Sequence, residues 1–371
     1  MKYYIIAGEA SGDQHAANLM KALKKKDSGA VFRVWGGDRM EAAGGTVVRH
    51  YKDLAFMGFV EVLRNLRTIF RNLSFCKKDI MEFRPDVVIL VDYPGFNLRM
   101  AKFASNKGFK VIYYISPQVW AWKKSRVKSI KRYVNRMIVI LPFEQEFYAK
   151  YGVDVDFVGH PLLDELEKKN IIDKAEFLRK NGLANDAIIA LLPGSRQMEV
   201  EKMLSIMLGV VPDFPGYQFV IGGVTTVPAE LYGKLVGKMP VKILTGQLHD
   251  LLFHADAALV TSGTATLETA LIGVPEVVCY KGNRISFEIA RRIVNVKYIS
   301  LVNLVMDRQV VTELIQGELN EVNLKRELKR ILEDQAHRDR VIGDFAELRR
   351  RLGEKGASER AARVISGELG L

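Results

Sequence analysis

Leu259–Tyr280, LVTSGTATLETALIGVPEVVCY, is the stretch from which the rest of the chain is read. Apolar residues ending at Val260 turn through Thr261-Ser262-Gly263-Thr264, and a helix then runs to Ile272, where Gly273 is a natural stop. Pro275 follows, and Val277–Tyr280 reads as the next strand. The order strand, small-residue loop, helix, strand is that of a βαβ unit in a parallel sheet. Backbone N–H groups at a helix N-terminus attract anions, and small side chains let a phosphate approach. Glu268, one turn into the helix, can reach a sugar hydroxyl from there. An ordinary βαβ unit that uses small residues for packing reads the same way, so the loop needs a companion.

The companion precedes it. Ile188–Leu192 is a strand, Pro193-Gly194-Ser195-Arg196 a loop, and Glu199 to about Val210 a helix. Gly194 allows close backbone approach, Ser195 offers a hydroxyl and Arg196 a guanidinium suited to phosphate oxygens. A plain ion pair is the alternative use of Arg196. Two such loops in one half of the chain are what a diphosphate requires. Strands at Gln218–Ile221 and Val241–Leu244 lie between them. After Tyr280 come a basic amphipathic segment, Asn283–Asn295, and a strand-like Lys297–Val302 leading to Asn303. The charged helices after about Asn323 have too few apolar residues for a core of their own.

The first half has the same rhythm with different chemistry. Lys2–Ala7 is a strand and Asp13 to about Lys25 a helix; between them Gly8-Glu9-Ala10-Ser11-Gly12-Asp13 is neither a GxGxxG fingerprint nor a P-loop. Its two carboxylates would repel a diphosphate, so Glu9 and Asp13 are expected to face a hydroxyl-bearing group; Asp13 as a helix N-cap is the other reading. Val31–Trp35 is a second strand. Asp86–Asp92, DVVILVD, is a continuous apolar run of the kind a central parallel strand needs, and Asp92 stands at its carboxyl end. Open α/β sheets bind ligands outside those ends, which makes Asp92 the candidate general base.

Two stretches are basic and apolar together. In Phe56–Phe75, the residues Phe59, Val62, Leu63, Leu66, Ile69, Phe70 and Leu73 share one helical sector, while Arg64, Arg67 and Arg71 share another. Trp120 and Trp122 precede a run from Lys123 to Arg136 with seven positive charges and no acid, read as one helix. Both fit a phosphate-rich membrane surface, and both equally fit ordinary solvated helices packed on a sheet.

At 371 residues and 48% hydrophobic content, two domains are expected, with a boundary near Gly159-His160-Pro161. His160 reads as a hinge or cleft residue. The formal charge of +12 favours anionic partners. No apolar run reaches the ~18 residues of a membrane span, the N-terminal apolar stretch is too short for a signal peptide, and the two cysteines imply neither a disulfide framework nor a zinc site. A cytosolic protein is expected. No RRM, KH or helix-turn-helix signature supports nucleic acid, and no metal or cofactor is called for.

Taken together the motifs resemble the lipid-A-disaccharide synthase family. The matching segments are Gly8–Asp13, Met57–Leu63, Asp92–Asn97, Ser116–Trp122, Leu141–Glu144, Leu192–Arg196 and Ser262–Glu268, in the family's order over most of the chain. One departure is Gly95, where the family's loop often carries an acid; Asp92 itself matches. The resemblance implies a GT-B fold, with two Rossmann-like parallel-sheet α/β domains facing a cleft and a C-terminal helix crossing back to the first. The domains would be 1–160, joined by about 344–371, and 161–343.

It further implies an inverting, metal-independent transfer with no cofactor. The donor would be UDP-2,3-diacylglucosamine and the acceptor 2,3-diacylglucosamine 1-phosphate; the products would be the β-1,6 disaccharide and UDP. Ser195, Arg196, Ser262, Gly263 and Thr264 would hold the diphosphate, Glu268 the ribose, and Asn303 would lie in the nucleotide cleft. Asp92 would deprotonate the acceptor's 6-hydroxyl, with Glu9 and Asp13 orienting the sugar. Acylated substrates imply work at the cytoplasmic face of the inner membrane, giving Phe59, Val62, Leu63, Leu66, Phe70, Trp120 and Trp122 a reason beyond packing. No nucleic-acid partner is implied, and a homodimer is left open. The rivals are another UDP-sugar GT-B enzyme, including an epimerase, and a non-catalytic basic protein binding membrane or nucleic acid.

Overall fold

The structure is a computed structural model that describes residues 1–53, 66–122, 125–167, 170–283, 287 and 296–371. The chain forms two compact units, Met1–Asp164 with Leu352–Leu371, and Glu165–Arg351.

The first unit is a seven-stranded sheet in the order β3-β2-β1-β4-β5-β6-β7, every pair parallel. Its strands are β1 Lys2–Ala7, β2 Val31–Gly36, β3 Gly45–His50, β4 Val87–Val91, β5 Lys110–Tyr114, β6 Arg136–Val139 and β7 Val155–Phe157. Helices cover both faces, so β4 is buried along its whole length, which is why its sequence is a continuous apolar run rather than an alternating one. On one face Tyr4, Ile6, Val88, Leu90, Val111 and Tyr113 pack against Leu73, Cys76 and Ile80 of helix Leu66–Phe83 and Met100 and Ala104 of helix Pro94–Asn106. On the other lies helix Ala10–Lys24, and helix Ala357–Leu369 packs on it through buried Ala357, Ala361, Ala362 and Ile365. The C-terminal segment thus completes the first unit, while helix Gln335–Arg351 stays with the second. His160 is fully covered here: its backbone N–H donates to Leu352 O, and its Nδ1 accepts from Leu162 N.

The second unit is a six-stranded parallel sheet, β10-β9-β8-β11-β12-β13, built from β8 Ala187–Leu192, β9 Tyr217–Gly223, β10 Val241–Thr245, β11 Ala257–Thr261, β12 Glu276–Tyr280 and β13 Thr312–Ile315. Strand residues alternate between two cores: Ile189, Leu191 and Leu259 meet Met203, Met207 and Leu328, while Ile188, Ala190 and Val260 meet Leu251 and Leu252.

Two expectations are corrected, and two edge strands were not expected. The basic run is not one helix: the helix spans Arg126–Tyr133, Val134 turns extended, and Arg136 opens β6, where its guanidinium pairs with Asp156. Asn135 drives the change, because it joins Val111 through both its backbone N–H and its side-chain oxygen. Lys297–Val302 is not a strand; Ser300 caps a helix at Leu301–Met306 by accepting from Asn303 N, and local capping outweighs β-propensity there. The edge strands β3 and β13 carry too little apolar sequence to be read in advance; in β3 only Gly45 is buried.

Candidate active site

In each sheet the strand order reverses at one point, between β1 and β4 in the first and between β8 and β11 in the second. Loops that leave such neighbouring strands in opposite directions open a crevice, which is where α/β folds hold ligands. Ala7 pairs with Val91 and Leu192 pairs with Val260. The four loops singled out in the sequence therefore start from these two pairs of paired strand ends.

At the first crevice Glu9 caps helix Ala10–Lys24 with an extended backbone, and Asp92 directly follows β4. Asp92 and Tyr93 are both left-handed, at φ 42° and 47°, which places the carboxylate at a sharp strand-to-helix elbow. Gly8 lies under the Tyr93 ring so closely that a Cβ would come within 2.3 Å of it. The carbonyl of Asp92 accepts from Tyr113 Oη at 2.5 Å and from Asn97 Nδ2 at 2.8 Å. Burial, reinforced by the negative charge of Glu9, raises the Asp92 carboxyl from 3.8 to about 6, with backbone hydrogen bonding at Tyr93 and the charge of His15 acting the other way. A carboxylate so placed is still ionised near neutral pH and is a stronger base than an ordinary one.

Asp13 is corrected. It is 2% exposed, and its two oxygens accept from the backbone N–H groups of Gly37, Arg39 and Met40. It sits inside its own helix and caps the next one, Asp38–Ala42, so it braces the rim instead of facing a sugar. Trp120 is corrected as well: its ring is 8% exposed and packs edge-on against Phe143 at 5.0 Å. Beside it Glu144 is buried and pushed up to about 7 by desolvation, although Leu141 N donates to it and Ser116 and Trp120 favour its charged form. Phe70 is 61% exposed. Phe59, Val62 and Leu63 lie outside the described residues, as do the side chains of Leu66 and Trp122.

The second crevice joins a guanidinium and a helix N-terminus. Gly263 caps helix Thr264–Ile272; it and Thr264 are exposed. Ser262 is fixed by donating its hydroxyl to Ile299 O, and its N–H joins Cys279 O. Glu268 follows one turn later, half-buried. In the neighbouring loop Gly194 has φ 115°, and a Cβ there would meet Glu199 at 2.8 Å. Arg196 begins helix Gln197–Gly209 and is 60% exposed. Glu199, unnoticed in the sequence, accepts from both Ser195 N at 3.2 Å and Arg196 Nη1 at 3.3 Å. The loop's own carboxylate thus occupies two of the donors expected to meet a phosphate.

Asn303 is corrected. It is fully buried; its oxygen accepts from Val310 N and Val311 N, and its amide donates to Val311 O and Glu313. Glu313 in turn accepts from Ile299 N and Ser300 N. Asn303 therefore supports, from behind, the Ile299 carbonyl that holds Ser262, and has no side-chain atom left for a nucleotide.

Comparison with known proteins decides the family. A model of the lipid-A-disaccharide synthetase family matches residues 3–365. The chain belongs to that family. Lipid-A-disaccharide synthase of Syntrophus aciditrophicus is 42% identical over 96% of this chain and 95% of that protein, and that of Trichlorobacter lovleyi 41% identical over 97% and 96%. In fold the chain resembles the UDP-GlcNAc 2-epimerase of Neisseria meningitidis bound to UDP-GlcNAc, with a TM-score of 0.65 at 13% identity over 100% of this chain and 99% of that one. The family match rests on sequence along the whole chain and excludes the non-catalytic rival; the epimerase likeness is one of fold alone.

Proposed function

We propose that this member of the lipid-A-disaccharide synthase family works with Asp92 as general base and with the loops at Pro193–Arg196 and Ser262–Thr264 as the diphosphate site. The reaction is the family's glycosyl transfer, from UDP-2,3-diacylglucosamine to the 6-hydroxyl of 2,3-diacylglucosamine 1-phosphate, giving the β-1,6 disaccharide and UDP. The observation that carries the residue assignment is the division of labour between the two crevices: the carboxylates of Glu9 and Asp92 at one, and at the other a guanidinium and a helix N-terminus of small exposed residues, with Glu199 held on the Arg196 loop.

Asp92 takes the hydroxyl proton as the acceptor oxygen attacks the anomeric carbon from the face opposite UDP, so configuration inverts. The negative charge of Glu9 raises the basicity of Asp92, and its oxygens accept from sugar hydroxyls. As the glycosidic C–O bond breaks, charge grows on the β-phosphate. Arg196 and Ser195, on exchanging Glu199 for the phosphate, and the helix N-terminus beginning at Thr264 meet that charge, while Ser262 holds its loop in place. Glu268 lies one turn along, in reach of the ribose.

A membrane surface is the proposed partner of helix Leu66–Phe83. Phe70, Leu73 and Phe103 line a groove of about 510 Å³ together with Lys77, Arg99 and Lys102. Those three cations have no ion pair among the described residues. No described helix is long and apolar enough to cross a membrane, so association here means lying on the surface.

The test is turnover of the two acylated sugars in detergent micelles with a chelator present, following UDP and disaccharide together. Both products in equal amounts are expected. UDP released without disaccharide would assign a different acceptor.

A further inference from the structure

The elbow that presents Asp92 is strained in a specific way. Two successive residues with side chains, Asp92 and Tyr93, occupy the left-handed region. Such residues are costly and persist only where the surroundings over-determine them. Glycine would remove the strain but also the carboxylate, so at Asp92 the strain must be held from outside.

What holds it is visible at one atom. The carbonyl oxygen between the two strained residues receives two side-chain donors from different elements: Tyr113 Oη, from the neighbouring strand β5, at 2.5 Å, and Asn97 Nδ2, from the helix after the elbow, at 2.8 Å. Asn97 also reaches Val91 O at 3.1 Å and Ile6 O at 3.4 Å, tying the ends of β1 and β4 to the elbow. Both side chains are completely buried, in a core where phenylalanine and leucine would satisfy packing alone. Buried polar groups ordinarily find some partner. These two converge on the single peptide whose rotation would swing Asp92 away from Glu9.

We propose that Tyr113 and Asn97 are positioning residues of the glycosyl transfer, clamping the Asp92–Tyr93 peptide so that the Asp92 carboxylate stays beside Glu9 and faces the acceptor. This rests on Asp92 being the base, and the measurements below separate the two ideas. Loss of one donor leaves the carbonyl with one partner and lets the peptide relax toward an unstrained conformation. Asp92 then moves toward solvent and away from Glu9, and both movements lower its affinity for a proton.

The experiment compares wild type, Tyr113→Phe and Asn97→Ser in the full chain, each checked by thermal unfolding. Three quantities are read: kcat and KM with the acylated substrates, thermal stabilisation by UDP, and the titration of the Asp92 carboxyl by carbon-13 NMR, assigned with Asp92→Asn. A clamp predicts kcat lower by roughly 10–100-fold, KM and UDP stabilisation unchanged, and the Asp92 titration moved down from about 6. Lower kcat with an unmoved titration in a folded variant would overturn it, leaving Tyr113 and Asn97 as ordinary core residues, and so would a wild-type kcat with an unmoved titration. A moved titration with wild-type kcat would overturn it too, by showing that the clamped carboxylate is not the base, and so would separate this failure from a failure of the clamp itself. Should Tyr113→Phe fail to fold, Asn97→Ser carries the same outcomes.

Discussion

The two crevices begin alike and end differently. Each opens where strand order reverses, from strand ends that pair directly, Ala7 with Val91 and Leu192 with Val260. At the loops proposed for the diphosphate the backbone itself would be the ligand-binding group, so the strained position can be a glycine: Gly194 takes φ 115° at no side-chain cost. At the elbow a side chain must be delivered, so strain falls on Asp92 and Tyr93 and is countered by Asn97 and Tyr113. Aspartate tolerates the left-handed region better than most residues, which suits it to the position. An anion site can be built cheaply from loop backbone, whereas a base must be held.

The sharpest way to break this comparison is at the base. Asp92→Asn keeps the elbow's shape and removes the proton acceptor; kcat is expected to fall by about 10²–10⁴-fold, while thermal stabilisation by UDP stays at the wild-type level. Equal losses in both would mean that Asp92 serves nucleotide binding, and the division between crevices would fail. Next comes Arg196→Ala, where loss of a charged donor on the diphosphate should cost about 1.5–3 kcal/mol of transition-state stabilisation and weaken UDP as well. An effect on kcat without any on UDP binding would move Arg196 to the acceptor side.

Gly194→Ala tests the glycine argument. Its φ and the 2.8 Å approach to Glu199 predict a destabilisation of about 1–3 kcal/mol, seen in the melting temperature and accompanied by weaker UDP binding. Glu199→Gln should act in the opposite direction and more weakly. Ser195 N and Arg196 would lose a competing anion, and UDP should bind a few-fold tighter by calorimetry. The ion pair itself is exposed, so little stability is expected to go with it.

The smallest effect is on stability against pH. Burial raises the Asp92 carboxyl to about 6, so the folded state holds its proton more tightly than the unfolded chain, whose aspartates titrate near ~4. That contribution is complete below the unfolded value and is lost as pH rises through the folded one. Asp92→Asn should therefore raise the melting temperature by a few degrees at pH 8 and hardly at all at pH 4. A variant less stable than wild type at pH 8 would show that the carboxylate is well paired there.

Much of this site was legible before any coordinates. Continuous apolar strands ending in small-residue loops name their own class, and Asp92, Glu9, Ser195, Arg196 and Ser262–Thr264 stand at strand ends that sequence order alone identifies. What misled was residue chemistry read without neighbours. Asp13, Asn303 and Trp120 are of types that serve ligands and membranes, yet each is committed to internal partners: three backbone N–H groups, the Val310–Val311 turn with Glu313, and Phe143. Tyr113 and Glu199 went unnoticed for the converse reason, since a tyrosine in a buried strand and a glutamate in a helix's first turn look unremarkable in sequence.

The sequence by itself determined the class of fold, the four loops and the family, because hydrophobic periodicity and loop composition are local properties that survive without contacts. Only the tertiary structure decided which polar atoms remain available. Availability depends on what the rest of the chain brings alongside: an amide from residue 37, a hydroxyl from residue 113, a carbonyl from residue 299. A hydrogen bond satisfied across many residues of separation leaves no mark at either end of the sequence, and it is such bonds that separate the groups free to do chemistry from those that hold them in place.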